Sequence, residues 1–168
     1  LTNGCSLMDI HFASWFRAHR KAVKVTMRSK AQAAHEQQKP DEIIVGDIEK
    51  PRCFIAFNRG YVGVHFLDSL LREILYIEYT STEPGVLFEK ERQTWIYEGD
   101  TDKKILTSRL FFFPDGRSGV RSSILATRQA LESESKEPRD VSKNFLPQPP
   151  FGDYDAFTLR PCFEDPES

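Results

Sequence analysis

Between positions 10 and 27 apolar residues recur every three or four places, with Phe12, Trp15, Phe16, His19, Ala22, Val23, Thr26 and Met27 along one stripe. Arg17, Lys21, Lys24 and Arg28 fall on another, at i, i+4, i+7 and i+11. Segregated faces with a period near 3.6 predict an amphipathic helix. Asp9 stands where a carboxylate accepts orphan backbone N–H groups at a helix start, and Pro40 closes the region. Residues 8–39 are therefore expected to form a basic amphipathic helix.

Past Pro40 the period shortens. Residues 42–48, 53–57, 61–67 and 73–80 are rich in β-branched and aromatic types and read as strands. Val62, Val64 and Phe66 alternate with Tyr61, Gly63 and His65 after an Asn58-Arg59-Gly60 turn, the pattern of a hairpin with one face buried. Residues 86–98 and 104–113 give two more strands across the acidic loop Gly99-Asp100-Thr101-Asp102. Pro114-Asp115-Gly116 is a turn, because Pro presets one dihedral and Gly supplies positive φ, and a strand should return from about Arg117. Residues 122–137 carry conflicting signals: Ala126, Gln129, Ala130 and Leu131 favour helix, the preceding turn favours strands, and both assignments stay open. The expected fold is α+β, a twisted antiparallel sheet of about six to seven strands with the N-terminal amphipathic helix packed on one face. One domain is expected over 8–160, with the sheet mainly in 41–143, a Pro/aromatic arm over 144–160 and a disordered tail at 161–168.

A chain of 168 residues with 39% hydrophobic content buries enough surface to fold without disulfides or metals. Cys5, Cys53 and Cys162 are odd in number and far apart, which fits neither a disulfide framework nor a zinc site and points to a reducing cytoplasm. No apolar run approaches the roughly 18 residues of a membrane span, and the stretch before Met8 lacks the pattern of a signal peptide. Translation could begin before Met8, at Met8 or at Met27. The net charge of -2 is uneven: between residues 10 and 40 seven basic residues face only Glu36, a net of +6, which leaves -8 for the remainder. A basic segment is joined to an acidic body.

Catalytic patterns are sparse. Gly116-Arg117-Ser118-Gly119 is one residue short of a nucleophile elbow, and Gly60 and Gly63 belong to a hairpin, not to a phosphate-binding loop. No two of the four histidines form an H-x-x-x-H pair. His65 with Asp68 is the one conceivable base with an orienting acid, and Asp100 with Asp102 the one conceivable pair for a hard cation. Without a convergent acid, base and nucleophile, the expectation is a non-enzyme with no catalytic residues, cofactor or metal. Recognition remains. Glu78, Glu89, Glu91, Glu98, Asp100 and Asp102 crowd successive strands and loops, and with Trp95 and Tyr97 as anchors they form the candidate surface for a basic protein partner. The alternative is a nucleic-acid-binding or regulatory module that uses Arg17, Lys21, Lys24 and Arg28.

Several short motifs carry a family resemblance. Lys39-Pro40-Asp41 through Val45, Asp47-Ile48-Glu49, Gly60, Tyr61-Val62, Leu67-Asp68 and the run from Arg72 to Tyr79 resemble bacterial immunity proteins of polymorphic-toxin and contact-dependent-inhibition loci, notably the TriTu group. The aromatic set Phe12, Trp15 and Phe16 resembles that group's N-terminal helix. Phe113-Pro114-Asp115-Gly116, Asp140-Val141-Ser142-Lys143-Asn144 and Pro150-Phe151-Gly152-Asp153-Tyr154 are similar to later elements. The chain departs from the pattern at Phe57 and Phe145, where tryptophan is expected. The resemblance spans about residues 10–155. It implies a cytoplasmic protein that binds the toxic C-terminal domain of a secreted effector and occludes its active site or substrate groove; the acidic body, by its charge alone, suits a basic toxin such as a nuclease. It implies no catalytic residues, and it nominates no interface residues.

Overall fold

A computed structural model describes residues 8–158; the tail expected at 161–168 lies outside the described residues. In chain order, three short strands, β1 (Ile10–His11), β2 (Ser14–Phe16) and β3 (Lys21–Val23), precede the helix α1 (Arg28–Glu36). Then come β4 (Asp41–Gly46), β5 (Pro51–Asn58), β6 (Tyr61–Leu67), β7 (Glu73–Glu83) and β8 (Val86–Tyr97). They are followed by β9 (Lys104–Phe112), β10 (Ser118–Ile124), β11 (Gln129–Glu134), the short β12 (Phe145–Pro147) and the one-turn helix α2 (Asp155–Thr158).

The expected α+β fold is not the one formed. The protein is mostly β: a ten-stranded antiparallel sheet runs β1-β4-β5-β6-β7-β8-β9-β10-β11, with β12 beside β8, and β2 pairs only with β3. It is larger than six to seven strands, and in place of the expected amphipathic helix over 8–39 stand three short strands and the nine-residue α1, whose Ala31 is buried and whose His35 meets Phe57. The reason is legible in residues 10–15, where a period of two runs beneath the period of three to four. Ile10 and Phe12 join the core on one face of the sheet, while Ala13 and Trp15 join the core on the other. Pairing of Ile10 with Val45 and His11 with Ile44 satisfies a backbone that an isolated helix would have had to satisfy alone. Arg20 and Lys24 then adopt left-handed φ of 49° and 51°, which no helix continues through. Helix survives only in the alanine-rich stretch of α1.

Strands β4 to β6 are buried on both sides, which is why they read as nearly continuous apolar runs. Ile43, Val45, Cys53, Ile55, Val64 and Phe66 point to one face, and Ile44 and Phe54 to the other. The first face is covered by Ile10, Phe12 and the arm, whose Tyr154 and Phe157 are buried in the core. Phe12 stacks on Phe151 at 5.3 Å and 9°, and the Arg28 guanidinium lies over both rings. The second face is covered by the β2–β3 hairpin. Trp15 stacks on Phe54 at 6.3 Å, and its backbone N–H donates to the Glu42 carboxylate at 3.1 Å. The two covers define an arm face and a hairpin face. Beyond β7 the arm reaches only the first part of β8, where Leu87 and Glu89 are buried and the Asn144 amide donates to the Glu89 carbonyl at 3.0 Å, and past the exposed Lys104 the residues of β9 are only partly buried. The ambiguous stretch 122–137 resolves as strands: β10 ends at Ile124, a turn follows, and β11 pairs back from Ile124↔Gln129 to Gly119↔Glu134. No helix among the described residues is long and apolar enough to cross a membrane.

Candidate protein-binding face

Antiparallel register places side chains in cross-strand rows. On the hairpin face one row runs Phe54, His65, Tyr76, Gln93, Arg109, Arg121 and Glu132 from β5 to β11. A second runs Gly63, Glu78, Glu91 and Phe111, and a third Trp95, Thr107 and Ser123. At its β5 end the first row lies under Trp15. From β7 onwards it is open, and Tyr76, Gln93, Trp95, Thr107, Arg109 and Phe111 are each partly exposed.

The covered end is a packed polar cluster. His65 is sandwiched between Phe54 at 4.3 Å and 6° and Tyr76 at 4.6 Å. Its Nδ1 lies 2.7 Å from Glu73 Oε1, and Arg17 closes over the ring, with Nη2 3.3 Å from Nε2 and the guanidinium carbon 5.0 Å from the Phe54 centroid. The base-and-acid pair conceived from sequence is therefore not assembled. The carboxylate at His65 is that of Glu73, while Asp68 accepts from Arg72 Nε at 2.7 Å and from the backbone N–H groups of Leu70 and Arg72. Burial pushes the Asp68 carboxyl up, but these hydrogen bonds and the Arg72 charge outweigh it and hold the group below its ordinary value. Arg72 also donates to the carbonyls of Gly99, at 2.8 Å, and Thr101, which fixes the loop between β8 and β9.

Next along the face, the Tyr76 hydroxyl donates to Glu78 Oε2 at 3.0 Å, so the hydroxyl of Tyr61 donates to Tyr76. Burial first, and then the neighbouring Tyr61 and Glu78, push the Tyr76 hydroxyl far above the ordinary phenol range. Gly63 lies beneath this contact. A Cβ there would stand 2.6 Å from the Tyr61 hydroxyl, so a bare backbone lets the two rings meet across β6.

Most of the acidic residues singled out from sequence are already engaged. Glu78 pairs with Lys90. Glu89, only 2% exposed and on the arm face, pairs with Arg92 at 2.9 Å. Glu91 is buried and grips Arg109 in a two-pronged bond, Nη2 to Oε2 at 2.6 Å, which raises the Arg109 pKa above its ordinary value. Glu98 pairs with Lys103 and Asp102 with Arg20; Asp100 is exposed in the same loop. Trp95 lies under the Lys104 ammonium, and Tyr97 lies under Arg72 and donates to the Glu73 carbonyl at 2.7 Å.

The four cations of the alternative reading are not on one stripe. Arg17 sits on His65, Arg28 lies over the Phe12 and Phe151 rings, Lys21 adjoins the hairpin tip, and Lys24 follows β3 at the hairpin's open end. Sequence reasoning did not find Tyr76, Arg109 or Phe111 as face residues. Their alternation was visible, but only the register brings strands β7 to β9 side by side. Arg109 packs 4.9 Å from the Phe111 ring, so the open face carries a patch of Tyr, Trp, Phe and Arg held by neighbours. Compared with known proteins, the chain matches no family model, no curated protein and no solved structure.

Proposed function

We propose that the protein binds another protein through the open hairpin face of β7 to β10, and that it is an immunity protein for a cognate toxin domain acting in the cytoplasm. One observation carries the binding reading. Trp95, Phe111, Arg109 and Tyr76 are the residue types that dominate interface energetics, and they stand partly exposed on one rigid face, already oriented by Lys104, Glu91 and Glu78. Side chains held in place before binding lose less entropy on association. The motif resemblance to toxin-neutralising proteins supports the choice of partner. A wide sheet laid over a toxin would act by covering its active site or substrate groove, and it needs no chemistry of its own.

The test is co-expression with the toxin domain encoded beside it, together with a binding measurement on the purified pair. The wild type should rescue growth and form a tight complex. Trp95→Ala and Phe111→Ala should each weaken it by about 2 kcal/mol or more, some thirtyfold in Kd, while melting close to wild type. Absence of both complex and rescue would sink the immunity reading. Salt-sensitive binding to DNA or RNA in place of a protein complex would move the assignment to a nucleic-acid module.

A further inference from the structure

Apart from the three-residue β12 beside β8, the sheet has two edges, and they differ. One is β1, two residues long; the other is β11, six residues long and exposed at every position. Long edges are normally blunted by charged side chains, a bulge or a proline. Strand β11 has neither proline nor bulge, and of its two charges Glu132 is already paired with Arg121, while at its centre Leu131 is 73% exposed, the highest value among the large apolar side chains described.

The outward hydrogen-bonding groups follow from the register. Ser135 N–H donates to the Ser118 carbonyl, so the odd-numbered residues of β11 turn their backbone groups toward β10. Ala130, Glu132 and Glu134 turn theirs outward. A second copy of β11, antiparallel and related by a two-fold axis normal to the sheet, can use those groups only if the axis passes through a single residue. Centred on Glu132, the pairing sets that carboxylate against itself. Centred on Leu131, it joins Ala130 to Glu132 of the other copy in a hydrogen-bonded pair and sets the two Leu131 side chains opposite each other, where antiparallel side chains approach most closely. It also brings Arg128, the turn residue at left-handed φ of 55° just before the strand, next to Glu134 at both ends. Neither Arg128 nor Glu134 has an ion pair among the described residues, whereas Glu132 is satisfied within its own chain by Arg121.

We propose that two copies of this protein join edge to edge through β11, in the register centred on Leu131, to form one continuous sheet. The occupant is a second copy because the strand is complementary to itself in charge and in backbone direction at once. This holds whether or not the partner of the open face is a toxin.

The test is solution mass as a function of concentration, by sedimentation equilibrium on the full chain. The wild type should move from 19.4 kDa toward twice that value as concentration rises. Arg128→Glu or Glu134→Arg alone sets like charges opposite at both ends and should weaken association by about tenfold. The double exchange should restore it, because the pair is re-formed with its sign reversed. Ala130→Pro removes an outward N–H that β10 does not use and should abolish the dimer while leaving the melting temperature of the dilute monomer unchanged. A monomer at every concentration overturns the proposal. So does a dimer indifferent to both charge substitutions, or one that the double exchange fails to restore.

Discussion

Asp68 and Arg72 show how one ionic contact organises a distant loop. The carboxylate receives three hydrogen bonds from its own turn, and the arginine it fixes reaches across to the carbonyls of Gly99 and Thr101. Because the folded pKa of Asp68 lies below its unfolded value, the contribution is fully present above about pH 4 and fades as pH falls through the folded pKa. Asp68→Asn should lower stability by about 1 kcal/mol at neutral pH, a modest figure because the pair is partly wet. The difference between the two melting temperatures should shrink on acidification below pH 4, and a gap that stays constant would refute the assignment. Sequence reasoning found most of the acidic residues here but not their partners. Glu91 meets Arg109 and Asp102 meets Arg20 only through folded register, so a carboxylate that looks available in the chain is neutralised in the molecule.

Among elements, β4 to β10 were legible because β-branched alternation and turn residues agree there. Two segments were not. In residues 10–16 the aromatics satisfy two periods at once, and edge pairing to β4 with packing of Trp15 on Phe54 selects the extended one. In β11 the local preference of Ala130 and Leu131 for helix yields to six paired positions on β10. The β2–β3 hairpin is a two-stranded unit held to the sheet by the buried Trp15 and by Arg17 and Arg20 at its tip, and such units have little stability alone. Trp15→Ala should therefore cost about 3 kcal/mol and release the hairpin locally, with faster amide exchange in β2 and β3 than in β5 and β6. Uniform acceleration across all four strands would show instead that the hairpin and the sheet unfold together.

At the scale of the molecule, the sheet is a lopsided object. Strands β4 to β6 sit between two layers of side chains, while the second half of β8 and β9 to β11 extend beyond both covers and present rows of partly or fully exposed residues. The buried part anchors the structure, and the projecting part is free for binding on its faces and at its edge. The two covers also differ in where they lie along the described sequence: residues 13–23 supply the hairpin cover, whereas on the arm face Ile10 and Phe12 are joined by Tyr154 and Phe157 from the far end. On the ribosome, β4 to β6 emerge with the hairpin already made, yet their arm face has little beyond Ile10 and Phe12 to cover it until every later strand has been synthesised. The nascent chain thus carries an open apolar surface for most of its translation, which makes it a substrate for chaperones. Force measured with a translational arrest sequence should peak only once Phe157 has cleared the exit tunnel, and a full peak when β8 emerges would mean that the sheet closes without its arm.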